Sequence, residues 1–504
     1  MNRRDFLIHV ASTSTVLALG TSCSGWRPRT DWPANLFLQG NFAPVQEEIT
    51  ADHLTVIGTL PPEMDGMYVR NGPNPQFPPI KSYHWFEGDG MLHGVRVQGG
   101  RASYRNRYIR TAGWQEEHEA GKAVYGSFLD PSDFWRKLWR ILVGKPQSKH
   151  TANTAVVWHD GRLLALMEAA EPYEIKVPSL DTVGPYTYGG RLKHAFTAHP
   201  KVDPATGELL FFGYAWRRPY VQYGVVNAQG QIARTTPIDI PRPIMMHDFA
   251  VTARYSLFMD LPLTFSISRM LRGGPMLTFE PELGARFGIL PRHGTGQDIK
   301  WFEVSPCYVF HTLNAYEDGE EVVLLACRTQ EFPAAFFMPP GIRPVGGDRT
   351  GKEFTPVMYR WRLNLKTGTT REEALDEVPS DFPRINDGLM GRQTRYGYTA
   401  GFAKVESSEL LKYDYGEGST ERHAHGRGRF GGEGVFVPRP NARAEDDGWL
   451  VTYVYDAGDG TSEMVVIDAQ DFRKPPVARV RIPARVPYGF HGAWISGERL
   501  AQQG

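Results

Sequence analysis

Short runs of β-branched and aromatic residues separated by turns make up most of the chain. A typical run has about five to eight residues and is flanked by Gly, Asp, Asn or Pro, which favour tight turns. Clear examples are residues 162–166, 209–214, 322–327 and 449–455. The pattern predicts an all-β protein with many strands from about Thr55 onward. No exact repeat is legible, so a propeller, a large barrel and tandem sandwiches all agree with periodicity alone.

Two segments depart from the strand pattern. Residues 132–143 place apolar side chains on helical spacing with basic residues between them, which is typical of a helix lying in a lipid surface. A helix packed on the protein's own core has the same spacing and is the alternative. Residues 261–271 are apolar except for polar Thr264, Ser266 and Ser268 and the charged Arg269, and they extend the same patch. Together the two segments predict peripheral membrane contact and an apolar substrate that is reached from a membrane.

Composition narrows the class of protein and its partners. The 504 residues are 41% hydrophobic and 12% aromatic, which supports a sizeable core and excludes a disordered chain. The 53 Gly and 38 Pro disfavour a helical bundle. Because 56 basic residues balance 56 acidic ones, no overall charge attracts nucleic acid. We therefore expect no nucleic-acid partner, and no feature implies a protein partner.

The N-terminus has the features of an export signal. Arg3 and Arg4 precede Phe6, Leu7 and an apolar stretch of small residues, a pattern typical of the twin-arginine pathway, which exports folded bacterial proteins. The stretch is too short for a comfortable membrane span. We expect an export signal over residues 1–26, an N-terminal arm over 27–54 and one catalytic domain with capping insertions over 55–504. The protein is then exported and periplasmic, with association to a membrane.

Cysteines and local metal motifs contribute little. Cys307 and Cys327 follow the signal, and either a single bridge or two free buried thiols fits them. Cys23 is a poor lipidation site because Gly20 stands where a lipobox usually has Leu. The 15 histidines include no pair with the spacing of a zinc protease or a zinc finger.

Four histidines nevertheless share a context, since each ends or follows an apolar strand in a turn. They are His199, His247, His311 and His491. Taken singly, each is more readily a hydrogen-bonded structural histidine than a metal ligand. A site made from all of them has to be assembled by the fold.

Ordered motifs along nearly all of the chain after the signal resemble those of the carotenoid cleavage oxygenase family. They are residues 66–75, 86–93, 152–154, 164–168, 431–440 and 488–492. The resemblance implies an all-β fold, a seven-bladed β-propeller, with a cap of helices and loops over the axial face that carries iron.

The resemblance also implies a metal centre. Four histidines of the family bind one Fe²⁺ ion and leave open positions for dioxygen, and His199, His247, His311 and His491 match them. Three carboxylates orient the ligands, and Glu168, Asp381 and Glu433 match these. Asp381 is one methylene shorter than the usual Glu, so we expect a bridging water or a small strand shift there. Thr154 matches a threonine near the open iron position.

The implied reaction is cleavage of a conjugated carbon–carbon double bond of a carotenoid or apocarotenoid by O₂, giving two aldehydes. Stilbene-cleaving relatives hold a substrate hydroxyl with a lysine and a tyrosine, and Met167 and Phe128 stand at the corresponding positions. These apolar replacements favour a long hydrocarbon, with Phe86 as a further pocket residue. The alternatives are a stilbene-type dioxygenase, a redox-neutral isomerohydrolase and a propeller that only binds a ligand.

Overall fold

Seven antiparallel sheets follow one another along the chain in the computed structural model of this protein. The structure describes residues 32–127, 134–272, 274–333, 355–403 and 406–503. From Pro33 onward these residues belong to one compact unit. The sheets are the blades of a seven-bladed β-propeller, so the predicted fold class is confirmed. The predicted signal over residues 1–26 lies outside the described residues.

The blades are numbered here in chain order. Blade 1 consists of Thr50–Ala51, Gly66–Pro73, Gly90–Gln98, Arg101–Tyr108 and Gly492–Ser496, and blade 2 of Ala155–His159, Arg162–Leu166, Tyr173–Lys176 and Asp181–Pro185. Blade 3 consists of Lys201–Val202, Leu209–Tyr214, Val221–Val226 and Ile232–Ile238, and blade 4 of Ala250–Val251, Tyr255–Asp260, Ala285–Pro291 and Lys300–Val304. Blade 5 consists of Tyr308–Asp318, Glu321–Thr329, Val357–Asn364 and Thr370–Ala374, and blade 6 of Ser380–Arg384, Tyr396–Ala403, Glu406–Asp414 and Ser419–Ala424. Blade 7 consists of Val56–Gly58, Arg429–Phe430, Val435–Pro438, Gly448–Asp456, Thr461–Asp468 and Ala478–Ile482.

Helices and one ribbon are inserted between these strands. The α-helices are α1 (Ala112–Ala120), α2 (Phe134–Leu142), α3 (Ile267–Leu271) and α4 (Gly497–Ala501). The ribbon pairs Leu263–Phe265 with Leu277–Phe279. Short 3₁₀ helices cover Leu36–Leu38, Gly40–Phe42, Trp85–Glu87, Pro281–Leu283, Gly296–Asp298 and Asp387–Leu389.

Strands from both ends of the chain close the ring. In blade 1, Gly492–Ser496 pairs with Gly66–Pro73, and in blade 7, Val56–Gly58 pairs with Ala478–Ile482. The arm also enters the sheet, since Thr50–Ala51 pairs with Arg101–Tyr108 and regular structure therefore begins before Thr55. Closure matters because an open propeller would expose unpaired strand edges.

The core lies between the faces of neighbouring blades. Strands in the middle of a blade are therefore buried on both faces, and all residues of Gly66–Pro73 are buried. Large aromatic rings fill the spaces between blades, for example Trp361 of blade 5 against Phe287 of blade 4, with ring centroids 5.2 Å apart. An outer strand such as Asp181–Pro185 is only partly covered. Because strands that are covered on both faces need apolar side chains on both faces, the apolar runs in the sequence are continuous instead of alternating.

The long insertions lie on one face of the propeller. We call this the upper face, the face at which the innermost strand of each blade begins. Because adjacent strands are antiparallel, the second strand of a blade returns to the upper face, and the insertion that follows it lies there. Helix α3 and the ribbon follow the second strand of blade 4, and helices α1 and α2 follow Arg101–Tyr108, the fourth strand of blade 1, which returns to the same face. They form the cap of helices and loops that the sequence predicts.

Helix α2 turns a basic side chain inward and apolar side chains outward. Arg140 is buried, lies 2.8 Å from the Glu116 carboxylate and stacks over the Tyr125 ring at 4.0 Å. The exposed apolar residues are Trp139, Ile141, Leu142 and Val143, with exposures of 60%, 52%, 76% and 47%. A helix packed on its own core would show the reverse orientation.

The first part of the second apolar segment, which we expected to extend the exposed patch, packs into the core. Leu261 and Leu263 are buried because the ribbon packs them against the residues that precede blade 4. Ile267 of helix α3 is exposed at 42%. Within the described residues, no helix is both long and apolar enough to cross a membrane. Cys307 and Cys327 are both buried and unbridged.

Candidate metal centre

Seven of the predicted site residues occupy equivalent places in the fold, one in each blade. Each lies at or just before the start of the innermost strand of its blade. In the order of blades 1 to 7 they are His491, Thr154, His199, His247, His311, Asp381 and Glu433. The innermost strands surround the axis, so residues that are far apart in the chain come together there.

The four histidine rings converge on one point. One nitrogen from each ring lies within 4.8 Å of the others. Nε2 of His247 is 2.9 Å from Nε2 of His199 and 3.2 Å from Nε2 of His311. The ring of His491 lies 4.5 Å from that of His199. Two nitrogens that bind one ion at about 2.1 Å and at right angles are about 3 Å apart, so this spacing fits a single metal ion.

Carboxylates hold the outer nitrogens of three rings. Glu168 contacts Nδ1 of His247, Asp381 Oδ1 lies 2.8 Å from Nδ1 of His311, and Glu433 Oε1 lies 2.9 Å from Nδ1 of His491. A ring that donates its Nδ1–H to a carboxylate has its lone pair on Nε2, which is the nitrogen that faces the other rings. The arrangement therefore fixes the tautomer that a metal ligand requires.

Asp381 reaches its histidine without an intervening water, so the expectation of a bridging water was wrong. The strand Ser380–Arg384 changes its pairing register between Asp381 and Arg384, and Phe382 in between has φ +55°. This irregularity is the strand shift that was the other expectation. The buried thiol of Cys327 donates a hydrogen bond to Asp381, and burial and this carboxylate raise the pKa of Cys327 well above its usual value.

Glu433 is ionised although it is buried. Burial opposes its ionisation, but Arg384, 3.5 Å from Oε1, and His491 outweigh this effect and lower its pKa to about 2. The backbone N–H of Gly492 also donates to Oε2 at 2.8 Å. A permanently charged Glu433 is therefore available to orient His491.

The protonation of the rings follows from burial and from these carboxylates. Burial lowers the pKa of His199 well below its ordinary value and that of His491 to about 4, so both rings are neutral near pH 7. For His311 the carboxylate of Asp381 outweighs burial and raises the pKa. Protons and a metal ion therefore compete for His311 at acidic pH.

Thr154 contacts this cluster directly, and Phe86 and Met167 are connected to it through neighbouring residues. The Thr154 carbonyl accepts the backbone N–H of His491 at 3.1 Å. The Phe86 ring lies 5.5 Å from that of Phe490, the residue before His491. Met167 directly precedes Glu168, and its sulfur accepts the N–H of Thr151 at 3.2 Å. Phe128 lies outside the described residues.

Several residues near the centre were not found from the sequence. The Tyr214 hydroxyl donates to Glu168, and the rings of Phe310 and Phe382 lie 4.9 Å from His247 and 5.1 Å from His311. Each is an ordinary aromatic residue in or beside a strand, and no local signal distinguishes it. Together with Phe86 and Phe490 they give the cluster apolar surroundings.

Known proteins share this architecture. The sequence model of the family described as "Retinal pigment epithelial membrane protein" matches residues 42–496. The carotenoid 9,10(9',10')-cleavage dioxygenase 1 of Arabidopsis thaliana is 41% identical, over 93% of this chain and 91% of that protein. The structure of the Pseudomonas brassicacearum lignostilbene dioxygenase has a TM-score of 0.84 at 30% identity, over 93% of this chain and 100% of that one. A variant of the Synechocystis apocarotenoid oxygenase has a TM-score of 0.80 at 27% identity, over 90% and 97%.

The chain therefore belongs to the carotenoid cleavage oxygenase family, and the predicted resemblance is confirmed. The predicted enzyme class, a dioxygenase of this family, is confirmed as well. The histidine cluster supports the coarser part of the cofactor prediction, a metal site.

Replacement of Asp381 tests whether this carboxylate orients His311. We expect Asp381→Ala to weaken metal binding about 10-fold to 100-fold, because the ring loses the acceptor that fixes its tautomer. The measurement is metal content after dialysis against a chelator. Glu373→Ala, which removes an exposed carboxylate from the outer strand of blade 5, is the control and should bind metal like the unsubstituted protein. Equal metal retention by both variants would contradict the assignment.

Proposed function

We propose that this protein is a non-haem Fe²⁺ dioxygenase that cleaves a conjugated carbon–carbon double bond of a carotenoid or apocarotenoid with O₂, giving two aldehydes. The single observation that carries the proposal is the convergence of four histidines, three of them held by carboxylates, inside a propeller of this family. When bound, the iron would supply the activation of dioxygen. Imidazole is a suitable donor for iron, and four neutral ligands leave its double charge intact.

The protein's own contribution is to hold the substrate and to exclude water. Phe86, Phe310, Phe382 and Phe490 surround the histidines with apolar surface, which suits a polyene better than a polar molecule. Fixing the position of a long conjugated chain selects the double bond that lies beside the metal. The Arabidopsis relative is named for cleavage at the 9,10 (9',10') positions, which supports a carotenoid substrate.

A stilbene-type dioxygenase is the second candidate, since the lignostilbene dioxygenase has a TM-score of 0.84 with this chain. Met167 weighs against it, because a thioether offers no charge to hold a phenol at the position where that branch has a lysine. The sulfur of Met167 is also engaged with the N–H of Thr151.

Product analysis decides between these candidates. The protein is purified without oxygen and assayed for iron. It is then incubated in air with apocarotenals and with hydroxystilbenes, and the products are identified by mass. We expect close to one iron per chain and shortened aldehydes from the apocarotenals. Cleavage of the stilbenes alone would favour the second candidate, and a protein without iron or turnover would be a ligand-binding propeller.

Loss of one ligand should abolish iron and turnover together. We expect His247→Ala to retain the β-rich circular dichroism spectrum and to lose both bound iron and cleavage, because Nε2 of His247 lies between those of His199 and His311. His293→Ala, which removes an exposed histidine, is the matched control and should retain both. Cleavage by the His247 variant would contradict the ligand assignment.

We further propose that the upper face contacts a membrane and takes an apolar substrate from it. Trp139, Ile141 and Leu142, in the last turn of helix α2, are exposed. The ion pair of Arg140 with Glu116 anchors the helix in this orientation. Trp216 and Ile267, also in upper-face insertions, are exposed at 49% and 42%. An exposed apolar surface of this kind suits a lipid interface.

Vesicle sedimentation tests this contact. The double variant Trp139→Glu with Leu142→Glu should reduce the fraction bound to phosphatidylcholine vesicles at least several-fold, because each charge would have to enter the lipid. The control is Val183→Glu, in which an equally exposed apolar residue changes on an outer strand of blade 2. Equal binding by both variants would show that helix α2 is not the contact.

Export through the twin-arginine pathway to the periplasm is also a proposal, supported by Arg3, Arg4 and the apolar stretch that follows. Replacing both arginines by lysine should retain the protein in the cytoplasm of a Gram-negative host, as measured by cell fractionation. Replacing Arg27 and Arg29 by lysine is the control and should leave export unchanged. Export that survives loss of Arg3 and Arg4 would contradict this pathway.

A further inference from the structure

A buried carboxylate next to one of the histidines links three neighbouring blades. Asp248 directly follows His247 in blade 4 and is 1% exposed. Glu168, Asp381 and Glu433 each contact a histidine ring, whereas Asp248 binds Lys201, Thr312 and the backbone of Phe249. Its partners lie in the adjacent blades, on the strands that carry the preceding and the following histidine.

One oxygen of Asp248 reaches blade 3. Nζ of Lys201 lies 2.8 Å from Oδ1, and the backbone N–H of Phe249 donates to the same oxygen at 2.7 Å. Lys201 is two residues after His199 and is itself largely buried, with its side chain 12% exposed. An ion pair shielded from water in this way is stronger than a surface pair. Asp248 therefore ties the strand of His199 to that of His247.

The other oxygen reaches blade 5. The backbone N–H of Thr312, the residue after His311, donates to Oδ2 at 2.8 Å. The Thr312 hydroxyl lies 2.8 Å from Oδ2 and 3.0 Å from the carbonyl oxygen of Phe249, so it joins the same two strands with either acceptor. Asp248 therefore ties the strand of His311 to that of His247 as well.

We propose that Asp248 is a positioning residue that holds His199, His247 and His311 at the separation required by one metal ion. The inference rests on the proposed metal site. The inner strands of blades 3, 4 and 5 are not joined to one another by a β-ladder, so side-chain contacts contribute to the spacing between them. Displacement of a ligand by about 1 Å is enough to weaken a metal site, and Asp248 fixes this distance for three of the four ligands.

An amide cannot replace this carboxylate. Lys201 Nζ and the N–H of Phe249 face Oδ1, and the N–H of Thr312 faces Oδ2, so each oxygen faces at least one group that can only donate. Asparagine has the same shape as aspartate. In Asp248→Asn, however, the new NH₂ group must face the donors at one of the two oxygen positions. The substitution thus weakens the link to one neighbouring blade without replacing any histidine.

The rate of metal loss from the holoprotein tests the proposal. The purified protein with its iron is mixed with an excess of a chromophoric Fe²⁺ chelator, and the release of iron is followed. We expect Asp248→Asn to lose iron about 10-fold faster or more, the size of effect known for residues that orient metal ligands. Lys201→Met, which removes only the link to blade 3, should increase the rate of iron release by a smaller factor. This variant replaces Asp248→Asn as the test if Asp248→Asn does not fold.

Asp446→Asn is the matched control. Asp446 also forms a buried ion pair between neighbouring blades, with Nζ of Lys412 2.7 Å from Oδ2, but it joins blades 6 and 7 away from the histidines. The Asp446→Asn variant should lose thermal stability as Asp248→Asn does, but it should release iron at the rate of the unsubstituted protein. Equal iron release by the Asp446 and Asp248 variants, or by Lys201→Met and the unsubstituted protein, would overturn the inference. Absence of iron from the unsubstituted protein would overturn the proposed function and this inference with it.

Discussion

Pairing between the two ends of the chain is the interaction on which the metal centre depends. His491 directly precedes Gly492–Ser496, the strand that closes blade 1 against Gly66–Pro73. The backbone of His491 is bound on both sides, because its carbonyl accepts the N–H of Asn71 at 3.0 Å and its N–H donates to Thr154 at 3.1 Å. The fourth histidine thus joins the other three only when the ring is closed. Metal binding and completion of the fold are coupled in this way, and a bound ion stabilises the closed ring.

The carboxylates of the buried centre also favour a bound cation. Glu168, Asp381 and Glu433 lie against three histidines, and Arg384 is a cation beside Glu433. Three carboxylates and one guanidinium leave two negative charges, which a divalent ion would neutralise. Buried charge without compensation is costly, so these carboxylates favour the bound state as well as the correct ring tautomers. Asp248 and Lys201 form a separate neutral pair and leave this balance unchanged.

The sequence allowed the strands, the family and the candidate ligands to be predicted, because each depends on residues that are close together in a motif. The contacts of Tyr214 and Asp248 could not be predicted, since they depend on how neighbouring blades are aligned along the axis. The direct contact of Asp381 with His311 could not be predicted either, although the backbone irregularity beside it is local. The side chain of Asp381 is one methylene shorter than Glu, yet it contacts His311 directly, beside a register change before Arg384 and Phe382 at φ +55°. Local sequence gives the residue type but not this backbone geometry.

Helix α2 shows why hydrophobic spacing alone could not assign its outer face. A core helix and a lipid-facing helix have the same apolar period, so the contacts of the polar residues decide which side turns outward. Glu116 and Tyr125, earlier in the same insertion, bind Arg140 and draw this basic side chain inward. The apolar side is then left uncovered on the same face as the four histidines. Burial of apolar area contributes roughly 25 cal/mol per Å², so this exposure costs stability in water that contact with lipid would recover.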